Sequence, residues 1–150
     1  RHKTTLIGYD YIHTAIDDYT RLAYSEVLPD EKDPTCAGFL HRAMTWFAAQ
    51  GVRVHRILTD NAMVYRRGAH WAEACSAWGL KRRFIKPGCP WTNGKAERFN
   101  RTLLNEWAYA RPWTNNNQRK RGLDQFLRRY NTRRGHSALG GRPPISRLAA

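Results

Sequence analysis

Short β-prone runs and amphipathic helical segments alternate along this chain in the order ββαβαβ, and two further helical patterns follow. Such alternation is typical of an α/β domain, in which helices cover the faces of a sheet. With 150 residues, 41% of them hydrophobic, the chain is long enough to bury roughly two thirds of its unfolded surface. We therefore expect one globular α/β domain.

The first two runs, Tyr11–Ile16 and Leu22–Leu28, predict a β-hairpin, because Asp17-Asp18 and Thr20 between them favour a turn. Asp33 and Pro34 then have the types expected at the N-cap and first position of a helix. The expected elements after the hairpin are a helix from Asp33 to Gly51, a strand over Val52–Leu58, a helix over Ala69–Trp78, a strand over Leu80–Ile85, a helix capped by Asn93 and a helix over Arg119–Asn131.

Asp60 follows the apolar run Val52–Leu58 within the triplet Thr59-Asp60-Asn61. This position predicts a carboxylate at the C-terminal tip of a strand, where functional sites gather in α/β sheets. An Asp after a strand is also a common turn former, and Asx turns explain Asn61 equally well. Both interpretations of Asp60 stay open on this pattern alone.

Glu97 lies in the first turn of the helix that Asn93 is expected to cap. The predicted buried stripe of this helix consists of Ala96, Phe99, Leu103 and Trp107. At about 100° per residue, Glu97 lies beside that stripe on a side shared with Arg101, with Arg98 next to it. Glu97 therefore borders the core on a basic surface, although a Glu in a first turn also favours the helix dipole.

Together Asp60 and Glu97 form a candidate metal-binding pair. Phosphodiester chemistry needs charge stabilised on both the attacking and the leaving oxygen, which two divalent ions provide. Mg²⁺ prefers carboxylate oxygens, and a cationic surface can hold the phosphates. The six histidines show no ligand spacing such as His-x-x-x-His, so a zinc site is not expected.

The charge balance indicates a polyanionic partner. The chain has 26 Lys and Arg against 12 Asp and Glu, a net charge of +14 and a pI of about 10.4. Nucleic acid is the leading partner at this balance, and a merely solvated basic surface is the alternative. No apolar run is long enough to span a membrane and no signal-like segment opens the chain, so a soluble intracellular protein is expected.

The three cysteines, Cys36, Cys75 and Cys89, are odd in number and widely spaced, which predicts reduced thiols. Cys89 lies in the Gly88-Cys89-Pro90 turn near Glu97 and is an alternative candidate nucleophile. No neighbouring residue pattern marks a base for it.

Several segments of this chain resemble the integrase core of bacterial insertion-sequence transposases. The likeness is closest to the IS481 and IS3 groups, which are related to retroviral integrases. The segments that carry the resemblance are Ala15 to Leu22, Leu58 to Asn61, Pro90 to Leu103, and Tyr130-Asn131 followed by Arg134, His136, Leu139 and Pro143. The resemblance covers nearly the whole chain, and its motif Thr-Asn-Gly-Lys-x-Glu-Arg is specific.

The resemblance implies an RNase H-like fold with a mixed sheet, and an Asp-Asp-Glu triad that binds two Mg²⁺ or Mn²⁺ ions. Asp60 would be the second acid and Glu97 the third. The expected DNA contacts are Lys95, Arg98, Arg101, Asn61 and Asn93. The family implies a bacterial, cytoplasmic and nucleoid-associated protein that works on double-stranded transposon ends and target DNA as a homo-oligomer.

The chain departs from the family pattern at the first acid of the triad. Comparison with retroviral cores places this Asp near Lys3, and in IS481-type chains it lies further upstream. No matching Asp lies near Lys3. Asp10, Asp17 and Asp18 are the possible substitutes. We expect an integrase core over residues 1–132 without its first strand, unless Arg1–Ile7 replaces it, and a basic Gly- and Pro-rich arm over residues 133–150. Ala62 stands where the family usually has Gly, which predicts strain after Asp60.

Three functions compete on this sequence. The first is the catalytic core of a transposase that cleaves and transfers DNA strands with divalent metal ions. The second is a DNA-binding remnant without catalysis, since the first acid is missing. The third is an RNase H-like nuclease acting on hybrids, which shares the fold and metals but not the integrase-type motif around Glu97.

Overall fold

The structure is a computed structural model that describes residues 11–86, 94–108 and 115–149. Its helices and strands are β1 (Tyr11–Ile16), β2 (Ala23–Leu28), α1 (Asp33–Ala49), β3 (Arg56–Thr59), α2 (Met63–Arg67), α3 (Ala69–Ala77), β4 (Lys81–Phe84), α4 (Gly94–Leu103) and α5 (Asn116–Thr132). A π-helical turn, Leu104–Ala108, continues α4, and two short 3-10 helices follow α5 at Ser137–Leu139 and Pro144–Ala149. The chain forms two compact units, Arg1–Pro29 with Lys95–Ala150, and Asp30–Gly94.

In the first unit, β1 and β2 form the predicted antiparallel hairpin, with Tyr11 opposite Leu28 and Ile16 opposite Ala23. The turn is built as its composition predicts, because the Asp17 carboxylate accepts hydrogen bonds from the backbone N–H of Thr20 at 2.8 Å and from the Thr20 hydroxyl at 2.6 Å. These bonds fix the end of the hairpin.

The core of the first unit lies between the hairpin, α4 and α5. Its buried members are Ala23, Val27, Phe99, Leu103, Trp107, Leu123, Phe126, Leu127 and Tyr130. The predicted stripe of α4 is thus confirmed at Phe99, Leu103 and Trp107, and burial of each such side chain stabilises the fold by about 1.5–3 kcal/mol. Phe99 and Tyr130 pack edge to face, with ring centroids 4.9 Å apart.

Asn131 connects α5 to β2 through a buried amide. Its Nδ2 donates to the carbonyl of Ala23 and its Oδ1 accepts from the N–H of Ala23, both at 2.9 Å. Ala23 is fully buried, so these two bonds satisfy backbone groups that water does not reach. The side chain of Asn131 therefore acts as one more strand residue beside β2.

The side chain of Arg119 on α5 is buried, although a charged residue ordinarily faces solvent. It is fully buried, because it shares a helix face with Leu123 and Phe126 at spacings of four and seven residues. Its backbone carbonyl accepts a hydrogen bond from the indole N–H of Trp107 at 3.1 Å. The N-terminal turn of α5 is thereby joined to the π-helical turn after α4.

The second unit packs α1 against α3 and contains a two-stranded parallel sheet, in which Arg56 pairs with Lys81 and Thr59 with Phe84. The strand expected over Val52–Leu58 is shorter and begins at Arg56, where β4 provides its hydrogen-bonding partner. Cys36 and Cys75 are buried, unbridged thiols, and burial raises the pKa of Cys75.

Asp33 is not the N-cap of α1, because Lys32 has that position and Asp33 is the first helical residue. Its carboxylate instead caps α3, accepting from the backbone N–H groups of His70 at 2.9 Å and Trp71 at 2.7 Å. Burial opposes ionisation, but these hydrogen bonds outweigh it and hold the pKa of Asp33 below its usual range. Gly68 makes room, since a Cβ there would lie 2.4 Å from Oδ1 of Asp33.

Each unit contributes one pair of strands to the described residues, and the segment Arg1–Ile7 that was considered as a replacement first strand lies outside them. Asn93 and Cys89 lie outside them as well. The boundary proposed at residue 132 stays a prediction. None of the helices in the described part of the chain has the length and apolar character needed to span a bilayer.

Candidate functional site

Asp60 follows β3 directly, at the strand tip where the sequence places it. Its Oδ1 accepts a hydrogen bond from the N–H of Ala62 at 2.9 Å, which turns the chain into α2. The residue is half-buried, and no side chain in the described ranges forms an ion pair with it. The geometry fixes one carboxylate oxygen and leaves the carboxylate without a competing cation among those residues.

Asn61 anchors this turn to the neighbouring strand. Its Nδ2 donates to the carbonyl of Ile85 at 2.9 Å, and its Oδ1 accepts from Nε of Arg66 at 2.9 Å and from Nη2 of the same guanidinium. The guanidinium in turn lies 3.9 Å from the ring centroid of Phe84. Because both ends of its amide are engaged, Asn61 holds the backbone next to Asp60 in place.

Ala62 does not strain the turn, contrary to the expectation based on the usual Gly. Its backbone has φ −58° and ψ 145°, an ordinary extended conformation that any L-residue adopts. Replacement of Gly by Ala at this position is therefore compatible with the position of Asp60.

Glu97 lies in the first turn of α4, exposed, while Phe99 two residues later is buried. The neighbouring side chains of Lys95, Arg98 and Arg101 are also exposed. Within the described part of the chain, no cation forms an ion pair with Glu97 and no carboxylate forms one with Arg98 or Arg101. Helix α4 thus exposes one carboxylate and three cations to solvent, while its apolar side chains Phe99 and Leu103 are buried.

Lys95 forms an ion pair with Asp18 in the hairpin turn, and the two side chains are 45% and 82% exposed. An exposed pair of this kind contributes little, so its partners can exchange. Asp17 is occupied in capping the same turn. Of the three substitutes for the first acid, Asp17 is therefore committed to the hairpin turn, Asp18 holds an exchangeable ion pair with Lys95, and Asp10 lies outside the described residues.

The C-terminal residues that carry the resemblance form a scaffold around α5. The Arg134 guanidinium donates to both carboxylate oxygens of Glu106, at 3.0 and 2.7 Å to Oε2 and 3.1 Å to Oε1, and Arg129 lies 3.7 Å from the same carboxylate. This bidentate pair raises the pKa of Arg134 and ties the segment after α5 to the π-helical turn.

The ring of His136 packs edge to face on Tyr130, with centroids 4.7 Å apart. Burial raises the pKa of Tyr130 to about 12, although the cations Arg134 and Arg21 act in the opposite direction. Burial and the same two cations lower the pKa of His136. Both rings are therefore neutral at pH 7, consistent with a packing role rather than proton transfer.

Within residues 11–86, 94–108 and 115–149, no three His, Cys, Asp or Glu side chains converge as a metal site. The described residues therefore do not complete an acidic triad among themselves. What they supply is a carboxylate at a strand tip and a carboxylate on a basic helix, both with the hard oxygen donors that Mg²⁺ and Mn²⁺ accept.

The amino-acid sequence matches a known family over most of the chain. Residues 4–90 match the family model described as integrase core domain, and residues 78–144 match a second model of the same description. The chain belongs to the integrase core domain family. The retroviral-integrase-like identity expected from the motifs around Asp60 and Glu97 is confirmed.

This integrase core is 32% identical to the retrovirus-related Pol polyprotein from transposon TNT 1-94 of Nicotiana tabacum, over 97 residues. The alignment covers 65% of this chain and 7% of that protein, so the chain corresponds to a small part of its relative.

Two solved structures have the same fold. One is the simian T-cell lymphotropic virus intasome in complex with PP2A regulatory subunit B56 gamma, with a TM-score of 0.78 and 18% identity over 94% of this chain and 49% of that one. The other is the catalytic core domain of BIV integrase, with a TM-score of 0.68 and 20% identity over 97% and 89%. The RNase H-like α/β fold is confirmed.

Sequence reasoning missed two supporting residues of this integrase core. Arg66 braces Asn61, but its only sequence signal is a cation at the end of a five-residue helix that was not expected. Glu106 pairs with Arg134 across 28 positions, and neither residue type marks such a partner in advance. The DNA-contact roles of Lys95, Arg98, Arg101, Asn61 and Asn93 remain predictions.

Proposed function

We propose that this integrase core is the catalytic core of an insertion-sequence transposase, which cleaves phosphodiester bonds at the ends of a mobile DNA element and joins the 3′-hydroxyl to target DNA. The observation that carries the proposal is the exposed carboxylate of Glu97 among exposed cations on α4. The family match over more than half of the chain supports it.

The arrangement on α4 favours phosphate chemistry that includes a metal ion. Arg98 and Arg101 attract a DNA backbone, while a bare carboxylate at Glu97 repels the same phosphates. The Glu97 carboxylate would lose that repulsion if it held a divalent cation. We therefore assign Glu97 to metal binding and the two arginines to the phosphates.

Asp60 fits the second ligand position on the features of its own unit. Its Oδ1 is oriented by Ala62, and the turn is held by Asn61 and Arg66, so the carboxylate needs little reorganisation on binding. Asp60 would help to hold Mg²⁺ or Mn²⁺, which when bound would stabilise charge on the attacking and leaving oxygens of a phosphodiester. The ligand assignment for Asp60 and Glu97 follows their motif positions.

Lys95 adds an adaptable phosphate contact. Its ammonium pairs with Asp18, and both side chains are exposed, at 45% and 82%. A backbone phosphate can replace Asp18 at low cost because exposed pairs contribute only about 0–1 kcal/mol. Asn93, by its motif position, is proposed as a further DNA contact, whereas Asn61 acts chiefly by holding the Asp60 turn.

The partners we propose are double-stranded transposon ends and target DNA, bound by a homo-oligomer associated with the bacterial nucleoid. The net charge of +14 supports a polyanionic partner. The simian T-cell lymphotropic virus neighbour was determined as an intasome.

A second candidate is a DNA-binding remnant without catalysis. It is favoured by the engagement of the Asp17 carboxylate with Thr20 in the hairpin turn, which removes one of the possible substitutes for the first acid. The two candidates make the same prediction for DNA binding and opposite predictions for chemistry.

The test is a strand-transfer assay with the full-length product of the gene and a labelled duplex that carries the inverted repeat flanking that gene. Strand-transfer products are expected with Mg²⁺ or Mn²⁺, and none after chelation by EDTA. Equal product with EDTA would exclude the metal-dependent mechanism. Salt-sensitive DNA binding without any product would instead establish the binding remnant.

A further inference from the structure

A second basic surface lies on the sheet of the unit formed by Asp30–Gly94. Arg56 pairs with Lys81, and Leu58 pairs with Arg83, in the parallel register of β3 and β4. Successive side chains of a strand point to opposite faces, so these four residues share one face of the sheet. We call Arg56, Lys81 and Arg83 the β3–β4 basic face.

The other face of the same sheet is directed towards α2 and α3. There Nη1 of Arg82 donates to the carbonyl of Tyr65 at 3.3 Å, and the ring of Phe84 lies under the guanidinium of Arg66. The charge of Arg82 also acts on the buried thiol of Cys75 in α3. Since Lys81 and Arg83 alternate with Arg82 and Phe84, the β3–β4 basic face points away from these helices.

All three cations of the β3–β4 basic face are exposed, and Leu58 between them is 44% exposed. In the described part of the chain no carboxylate forms an ion pair with any of the three. Neighbouring strands lie about 4.8 Å apart and alternate residues about 6.7 Å apart, so the three Cα atoms lie within roughly 8 Å. Such a cluster is repulsive by itself and is stabilised by an anion with closely spaced charges.

We propose that the β3–β4 basic face binds the phosphate backbone of duplex DNA, in addition to the contacts assigned to α4. Duplex DNA carries one negative charge per roughly 1.7 Å of its axis, which suits three cations on a flat strand pair. None of the three is a base-reading contact; the surface positions DNA without selecting its sequence. The choice of duplex DNA rests on the proposed function.

The other role of such residues is to keep an exposed strand from pairing with another chain, because Lys and Arg on edge strands prevent aggregation. That role needs charge but no phosphate. It predicts altered solubility, and an unchanged dependence of DNA affinity on salt, when the cations are neutralised.

The test measures anisotropy of a fluorescent 30-bp duplex with the full-length protein across a series of KCl concentrations. Arg56→Gln, Lys81→Gln and Arg83→Gln are each expected to reduce the slope of log affinity against log salt by about 0.9, and the triple variant by about 2.7. At 0.1 M salt each single change then weakens binding roughly eightfold. The matched control is Arg82→Gln, which removes the same charge from the opposite face and should produce less than half of either effect.

Slopes for the three variants equal to that of Arg82→Gln would overturn the proposal, as would preferential binding of single-stranded RNA over the duplex. A wild-type protein that binds duplex DNA, and whose binding weakens only on changes at Arg98 and Arg101, retains the proposed function and loses the β3–β4 basic face. A wild-type protein that binds no duplex overturns both. Circular dichroism of each variant confirms that the fold is unchanged.

Discussion

Asp60→Asn and Glu97→Gln are each expected to reduce strand transfer by the full-length protein by roughly 1000-fold or more, because a metal ligand is worth several kcal/mol of transition-state stabilisation. Each change removes one negative charge and retains the shape of the side chain. The assay compares initial rates of strand-transfer product at a fixed Mg²⁺ concentration.

The fold should survive both substitutions. At Asp60, the amide that replaces the carboxylate keeps an oxygen for the N–H of Ala62, so the turn into α2 is retained. Glu97 is exposed and its helix is held by Phe99 and Leu103. The matched control is Glu73→Gln, an exposed carboxylate on α3 that should leave the rate within twofold of wild type. Rates for Asp60→Asn and Glu97→Gln near that control would show that these carboxylates are not catalytic.

Asn131→Leu is expected to lower the free energy of unfolding by about 3 kcal/mol. The substitution removes both hydrogen bonds to Ala23 and leaves its N–H and C=O buried without partners, and each such group costs about 1–3 kcal/mol. Because a domain is typically stable by only about 5–15 kcal/mol, this is a large share of the total. Urea unfolding followed by circular dichroism measures the change.

Asn117→Leu is the matched control, because Asn117 lies exposed on the same helix and the chemical change is identical. It should alter stability by no more than about 0.5 kcal/mol. A loss at Asn131 no larger than the loss at Asn117 would mean that the buried amide contributes nothing to holding α5 on β2. The family motif Tyr130-Asn131 would then need another explanation.

The sequence predicts correctly those elements that are determined by residues close together in the chain. The hairpin from Tyr11 to Leu28 follows from β-prone runs around an Asp-capped turn, and the stripe of Phe99, Leu103 and Trp107 follows from helical spacing. The position of Asp60 could be predicted because a strand and a turn are both visible in the sequence. Prediction of Glu97 as a candidate site residue required the sequence motif around it as well.

Contacts between distant segments could not be predicted in the same way. Asp33 has the type of an N-cap for its own helix but caps α3, 37 positions further on, where Gly68 allows its approach. Arg119 is buried by the face it shares with Leu123, although its charge favours solvent. Strand β3 begins only at Arg56, because that is the first residue with a backbone pairing partner in β4.

The supporting residues of the candidate site depend on tertiary geometry for the same reason. Arg66 braces Asn61, and Asn61 in turn bonds the carbonyl of Ile85, 24 positions away. An Asn after an Asp is equally common in simple turns, so its sequence position does not distinguish the two roles. Only the structure assigns Asn61 to holding the Asp60 turn.

Binding of Mn²⁺ to the full-length protein, measured by electron paramagnetic resonance of the free ion, reports on metal ligation alone, because it requires neither DNA nor turnover. Asp60→Asn and Glu97→Gln are each expected to weaken Mn²⁺ binding by at least roughly tenfold, which is the lower end of what loss of even an outer-shell partner costs a metal site. The control Glu73→Gln is expected to bind Mn²⁺ as the wild type does. Wild-type affinity for Mn²⁺ in both variants would contradict the assignment of these two carboxylates as metal ligands.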